Sequence, residues 1–301
     1  MTMQVIGKEA EAHMTWAGLM AAIEAGHRRP RAEIKDMFLY RGADTILNRA
    51  AWIDGLAQLV KVATVFPGNA THDLPTINGA VTLYDDKSGM LKALIDFHLV
   101  TKWKTAGDSL LSARRLARKN SRKILLVGAG TVARSMVDAY SSIFPDAEFT
   151  IWSRTRASAE AMGHSVADDL EAAVKAADVI CTATMSQEPL IKGAWLQPGQ
   201  HLDLIGAYKP AMREVDDEAM SRARVFVDSR ATTIHHIGEL IEPIKSGALS
   251  ESDVIADFYD DPAAYSRRSD QEITIAKNGG GAHLDLMTAD YIAGVWAKAG
   301  K

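Results

Sequence analysis

Between Lys123 and Thr155 the chain reads KILLVGAGTVARSMVDAYSSIFPDAEFTIWSRT, and this stretch restricts the possible folds more than any other. The apolar run Ile124 to Val127 has the length and composition of a buried strand. The turn Gly128-Ala129-Gly130-Thr131-Val132-Ala133 follows, then a helical segment to about Phe144, then a second strand from Glu148 to Trp152. That is the order in which a G-x-G-x-x-G/A loop receives the pyrophosphate of a dinucleotide. Gly128 permits the tight turn, Gly130 lets backbone approach the phosphates, and Ala133 allows close packing of helix on strand. Free N–H groups and the dipole at the helix N-terminus favour the anion. An ordinary glycine-bearing strand-to-helix turn shares the glycines, and the flanking strands and helix are what separate the two readings.

The end of the second strand bears on the choice of dinucleotide. NAD sites carry an Asp or Glu there for the ribose 2′-hydroxyl. Here Ser153, Arg154, Thr155 and Arg156 stand instead, with no carboxylate. Hydroxyls and a guanidinium suit a 2′-phosphate, so the expected cofactor is NADPH, with NADH possible. Solvated loop charges are the alternative.

With 301 residues the chain has room for two domains. A hydrophobic share of 47% and a net charge of −4 are ordinary for a globular protein and give no basic surface for nucleic acid or anionic membrane. The single cysteine, Cys181, excludes an internal disulfide framework and a multi-cysteine metal site. It lies in an apolar run and reads as core. No window of about 20 apolar residues occurs. The N-terminus has no basic flank leading into an apolar run, so a cytoplasmic protein is expected.

Thr15 to Arg29 reads as an amphipathic helix with Thr15 as N-cap. From Asp36 to about Val100 short β-like runs take over: Met37–Tyr40, Ile46–Ile53, Leu59–Phe66, Val81–Tyr84 and Leu91–Ile95, with a hairpin turn at Asp85 to Gly89. This block lacks the alternating helices of a doubly wound sheet and is expected to be a separate domain. A helix from about Thr105 to Arg118 leads into the glycine turn, and the basic segment Arg114 to Lys123 reads as a solvated bridge. Later the strands 178–183, 201–205, 225–228 and 272–276 alternate with helices at 169–176 and 216–221. A closing helix, 282 to about 297, follows three glycines. The fold class is therefore α/β: a Rossmann domain, 119–281, plus an α+β antiparallel domain, 1–118 with the C-terminal helix from about 282.

With a nicotinamide site inferred, cations that hold a small acid become the candidates. Arg41 ends a short apolar strand. Lys61 stands among Val60, Val62 and Val65, where a charge is costly unless paired; an outward-facing residue on an edge strand is the plainer reading. Lys102 and Lys104 are placed just before the bridging helix, and several cations there suit an anionic substrate. Asp96 and His98 read better as turn or surface residues. His235-His236 has no metal-binding context, and no metal is expected. His283 and Asp285, beside the glycines, read as helix caps or cofactor-lining groups. Thr182 to Thr184 stand at a strand's C-terminal end, where open α/β sheets bind ligands.

These residues also carry a resemblance. Lys61-Val62-Ala63-Thr64-Val65-Phe66-Pro67, Leu74-Pro75-Thr76, the Val127 to Gly130 turn, Trp152-Ser153-Arg154-Thr155, Gly206 to Glu214, Phe226 to Arg230 and Lys277-Asn278-Gly279-Gly280 come in an order and spacing similar to the ornithine cyclodeaminase/mu-crystallin family. The resemblance implies a homodimer built through the antiparallel domain. It also implies substrate contacts from Arg41 and Lys61, and from Lys104 where the family usually has Arg. Around the cofactor it places Thr76, Asn78, Gly130, Thr131, Val132, Ser153, Arg154, Thr155, Thr184 and Asn278.

Family activities include cyclodeamination of ornithine, alanine dehydrogenation, reduction of cyclic ketimines, and hormone binding without turnover. Cyclodeaminases place an aspartate after the strand that here ends in Gly206-Ala207-Tyr208. Its absence, with the NADP-like strand end, favours an NAD(P)H-dependent reductase. The expected substrate is a cyclic imino acid, foremost Δ1-pyrroline-2-carboxylate giving L-proline. The lyase, an amino-acid dehydrogenase and a non-catalytic NADPH or ligand binder are the alternatives.

Overall fold

Ala57, Leu59, Lys61 and Ala63 are buried, while Gln58, Val60, Val62 and Thr64 between them are half-buried. That period-two alternation turns the apolar runs of the N-terminal segment into strands with one face committed to a core. The computed structural model describes residues 3–300. It divides into two units, one of residues up to Lys104 together with Gly281 onward, the other Thr105 to Gly280.

In chain order the first unit holds β1 (Gln4–Ile6), α1 (Trp16–His27), β2 (Glu33–Arg41), β3 (Asp44–Ile53), β4 (Ala57–Val65), β5 (Ile77–Asp85) and β6 (Leu91–Asp96). Helix α2 (Phe97–Leu116) starts there and ends in the second unit. Then come β7 (Lys123–Val127), α3 (Thr131–Ser141), β8 (Glu148–Trp152), α4 (Arg156–Glu160), β9 (Ser165–Val166), α5 (Leu170–Ala176) and β10 (Val179–Thr182). The second unit is completed by β11 (His201–Leu204), α6 (Asp217–Arg222), β12 (Arg224–Val227), α7 (Arg230–Thr233), α8 (Gly238–Ser246) and β13 (Thr274–Lys277), and α9 (Ala282–Lys298) returns the chain to the first.

The first unit is a six-stranded sheet in the order β1-β6-β5-β4-β3-β2. It is antiparallel except for β1, which joins β6 in parallel, so the expected antiparallel domain is a mixed sheet with one added edge strand. Helix α9 packs on β2 to β5 and on α1. Leu19 and Ile23 of α1, Leu59, Val81 and Ile95 of the sheet, and Leu286 and Ile292 of α9 are buried together in this core. Each such side chain contributes about 1.5–3 kcal/mol through burial. Thr15 caps α1, its hydroxyl accepting from the Gly18 N–H at 3.1 Å.

Helix α2 begins at Phe97, eight residues before the expected start at Thr105. Asp96 accepts from the Leu99 N–H at 2.7 Å and holds the first turn. Lys102 and Lys104 are therefore inside the helix rather than ahead of it, and Lys102 is bound to Glu11 at 2.7 Å. The division between units falls inside this helix, after Lys104, whereas the sequence put it at the helix end. Nor is the basic segment that follows a solvated bridge. Arg115 stacks on Phe258 and Tyr265, and Arg118 pairs with Asp178 at 2.6 Å.

The second unit is a seven-stranded parallel sheet, β12-β13-β11-β10-β7-β8-β9. Strand order reverses at β7 and β10, which makes the C-terminal ends of these neighbours the place where such sheets take ligands. Both are buried and apolar, apart from Lys123, exposed at the start of β7, and the buried Thr182 at the end of β10. Cys181 is buried within β10. No helix among the described residues is long and apolar enough to cross a membrane.

Candidate functional site

The two glycines of the turn after β7 are needed for different reasons. Gly128 has φ +115°, and a Cβ there would stand 2.6 Å from the carbonyl oxygen of Ala183. The fold itself demands glycine at that point. Gly130 has φ −80° and ψ −172°, open to any residue, and a Cβ on it would meet no atom of the described residues. It is the N-cap of α3 without a side-chain cap, so the first N–H groups of the helix face open space. A small residue not needed by its own chain, at an uncapped helix N-terminus, fits a pyrophosphate. Thr131 and Val132, exposed and half-buried, open the helix.

After β8, Ser153 is half-buried and Arg154 and Thr155 are exposed. Arg156 is bound to Glu160 at 2.7 Å and to Asp168. Arg154 has no hydrogen bond or ion pair to another described residue, so of the two arginines it is the one available to a phosphate.

Beyond β10 and β11 a carboxylate that the sequence reading passed over organises the loops. Glu214 is fully buried. Its Oε1 accepts from the N–H and hydroxyl of Thr184 at 2.8 and 2.7 Å, and its Oε2 from the N–H groups of Gly206 and Ala207 at 2.9 and 3.1 Å. Glu239 repeats the motif one layer down, accepting from the N–H groups of Glu214 and Val215 at 2.8 and 3.0 Å. Burial, then the charge of Glu214, pushes Glu239 up to about 7. Lys277, also buried, donates to the Leu204 carbonyl at 2.7 Å and is lowered by burial. Asn278 gives its side-chain N–H to Ser109 at 2.7 Å, but its buried Oδ1 has no partner among the described residues, and neither has the buried hydroxyl of Thr182. Both are polar atoms at the C-terminal ends of the strands of the parallel sheet.

In the first unit Lys61 is buried on β4, which lies between β5 and β3, so it is not the outward-facing residue of an edge strand that the sequence offered as the plainer reading. Its Nζ lies 2.7 Å from Asp285 Oδ1 and 2.7 Å from Thr101 Oγ1, over the ring of Phe97. Arg49, opposite Lys61 in the β3–β4 register, binds Asp36 at 2.6 Å and lies 3.7 Å from Asp285. Burial lowers Lys61, against the opposing charge of Asp285; Lys104 is near enough to lower it further. Burial and the charge of Lys104 hold His283 down at about 3, so it stays neutral.

Asp285 and His283 lie in the first turn of α9, yet the N-cap is Gly281 and no side chain caps it. Neither is a helix cap, because both side chains turn into the core. Arg41 is not brought to Lys61: it is the last residue of β2, its side chain 80% exposed and bound to Asp44 at 3.0 Å. Thr76 and Asn78 lie at the start of β5 in the first unit, Asn78 exposed and bonded to the Pro75 carbonyl at 3.1 Å. His235 is exposed, 3.6 Å from Glu251. No cluster among the described residues has the makings of a metal site.

A parallel sheet with its glycine turn at the switch point in one unit, and a mixed sheet holding a buried cation in the other, define an α/β protein of the Rossmann type with a second α+β unit. Within that class the chain belongs to the ornithine cyclodeaminase/mu-crystallin family, whose model matches residues 51–300. A Δ1-pyrroline-2-carboxylate reductase of Paracoccus denitrificans is 49% identical over 301 residues, covering 96% of this chain and 95% of that one. The ketimine reductase mu-crystallin of Rattus norvegicus is 31% identical over 247 residues, covering 80% and 77%. Among solved structures, an archaeal alanine dehydrogenase dimer with bound NAD superimposes with a TM-score of 0.89 at 26% identity, covering 100% of this chain and 98% of that one.

Proposed function

We propose that this protein is an NAD(P)H-dependent reductase of cyclic imino acids that converts Δ1-pyrroline-2-carboxylate to L-proline. The observation that carries the reading is the 49% identity to the Paracoccus reductase over nearly the whole of both chains. A bound dihydronicotinamide supplies the hydride that reduces the C=N carbon. Gly128, Gly130, Thr131 and Val132 hold its pyrophosphate, and Thr182, Thr184 and Asn278 its nicotinamide half, with Thr76 and Asn78 as further contacts. Ser153, Arg154 and Thr155 take the 2′-phosphate of NADPH, which is favoured over NADH.

Lys61 is assigned the substrate carboxylate, with Lys104 adding a second positive charge. Lysine at 104, where the family resemblance implies arginine, gives a point charge rather than a fork and a less directional contact. Arg41 joins them only by leaving Asp44. Fixing the carboxylate orients the imine carbon for the hydride, and a water delivers the proton to nitrogen. A cyclodeaminase is disfavoured because the segment after β11 offers Tyr208, half exposed and stacked on Lys209, where an aspartate would be needed.

We further assign a cytoplasmic homodimer. Met37, Phe38, Leu39 and Tyr40 are 48–73% exposed on β2, an unpaired edge strand of the kind that a second copy covers.

The test is NADPH absorbance decay with Δ1-pyrroline-2-carboxylate beside the six-membered analogue and NADH. Rapid NADPH oxidation is expected, and silence on both imines with cofactor still bound would sink the reading. Lys61→Ala should abolish turnover and leave NADPH affinity unchanged.

A further inference from the structure

The buried ammonium of Lys61 is not held by its own strand. It has three N–H bonds to place. One reaches Asp285 Oδ1 at 2.7 Å and one Thr101 Oγ1 at 2.7 Å. The hydroxyl of Thr101 gives its own proton to the Phe97 carbonyl at 2.7 Å, so towards Lys61 it only accepts. No other oxygen among the described residues takes the remaining N–H. The ring of Phe97, 4.7 Å from Nζ to its centroid, favours the cation there. The Lys61 side chain retains 6% exposure while that of Asp285 has none, so it is the cation, not its partner, that is presented outward.

Charged and titratable groups reach this pair from every element around it. Helix α9 brings Asp285 and the neutral His283, β3 brings Arg49, and α2 brings Lys104. Asp36 of β2 is held by Arg49 at 2.6 Å. Burial drives Lys61 towards the neutral amine, and Lys104 and Arg49 push the same way, while Asp285 opposes all three. Burial also raises Asp285, but Lys61, Lys104 and Arg49 together bring it below the usual carboxylate range. Its place in the first turn of α9 adds the favourable end of the helix dipole.

We propose that Asp285 is a positioning residue that keeps Lys61 charged and leaves it a single N–H, aimed at the carboxylate of the imino acid. This rests on the reading of Lys61 as the carboxylate-binding cation. The same chain of ions, Asp36–Arg49–Asp285–Lys61, ties β2, β3, α9 and β4 together, so the direction of that N–H is set by four elements rather than one flexible side chain.

The experiment is the pH profile of kcat/KM with saturating NADPH, with product inhibition by L-proline as a binding readout, for wild type, Asp285→Asn, Thr101→Val and Lys61→Ala. In Asp285→Asn the alkaline limb should move to lower pH by about 1–3 units, the effect of losing an adjacent opposite charge. Between the displaced limb and that of the wild type, kcat/KM should then fall about tenfold for each pH unit, with KM carrying the loss and activity returning as the pH is lowered. Weaker inhibition by L-proline should follow the same limb. Thr101→Val should raise KM and leave the limb in place.

An unmoved limb in folded Asp285→Asn, with Lys61→Ala inactive, overturns this inference and spares the assignment of Lys61. An active Lys61→Ala overturns that assignment instead. Should thermal melting show that Asp285→Asn does not fold, Asp285→Glu carries the test. It keeps the charge, so its limb should stay while KM rises, and a displaced limb would overturn the proposal.

Discussion

Both units bury charge, but they use it in opposite ways. In the first unit Lys61, Arg49 and Lys104 gather about Asp285, and Lys61 keeps a hydrogen atom for something else. In the second, carboxylates predominate over Lys277, and their oxygens are occupied by the chain itself. Glu214 takes the loops after β10 and β11, Glu239 takes the segment carrying Glu214, and Asp228 takes the N–H groups of Ser229 and Gly280 at 2.8 and 2.6 Å. A buried carboxylate saturated by backbone N–H groups fixes the shape of loops. A buried cation with an unused donor is arranged for a ligand. Charge in the second unit is therefore structural; in the first, on the role proposed for Lys61, it is chemical.

The strongest way to break this comparison is Glu214→Ala. Thr184, Gly206 and Ala207 would lose the acceptor of buried N–H groups, at about 1–3 kcal/mol each. The expected result is a melting temperature lowered by about 5–15 °C and loss of NADPH binding, read by calorimetry and cofactor fluorescence. Lys61→Ala, by contrast, should lose catalysis and keep the cofactor. A Glu214→Ala protein that melts normally would erase the distinction.

Arg154→Ala sharpens the comparison at the surface, where neither unit has a structural claim on the side chain. KM for NADPH should rise about 10-fold to 100-fold, the worth of one charge-assisted phosphate contact, while KM for NADH stays put. Equal effects on the two cofactors would remove Arg154 from the 2′-phosphate.

The last prediction concerns Glu239. The folded protein keeps this proton up to about 7, whereas the unfolded chain loses it near 4.5. Stability should thus fall as pH rises between those values, by about 3 kcal/mol. Glu239→Gln should flatten that part of a plot of melting temperature against pH. A slope that persists in the variant would place the titration elsewhere.

Local pattern carried much of this protein. The glycine turn, its two strands and the runs that became β2 to β6 were legible because period-two and apolar-run signals act over neighbouring residues. Lys61 stood out as a charge among valines. Asp285 was legible only as a helix cap or cofactor-lining group; its pairing with Lys61 was not, because it lies 224 residues away and no short-range rule links the two. The available hint was a carboxylate between Leu284 and Leu286 in an otherwise apolar helix start. Glu214 was visible in the Gly206 to Glu214 segment, but its task is set by Thr184 and the strand ends, which only the fold assembles. The early start of α2 was missed because Lys102 and Trp103 look like linker until Glu11, at 2.7 Å from both, shows what they pack against.

The return of α9 to the first unit has a consequence for how the protein is made. During synthesis β4 emerges long before the helix that neutralises Lys61, and all of the second unit is translated in between. A nascent first unit therefore carries a lysine whose counter-charge does not yet exist, and burying it early is unfavourable. The parallel sheet of the second unit waits almost as long, because its internal strand β13 directly precedes α9. The part that starts first must still wait for the last helix to close.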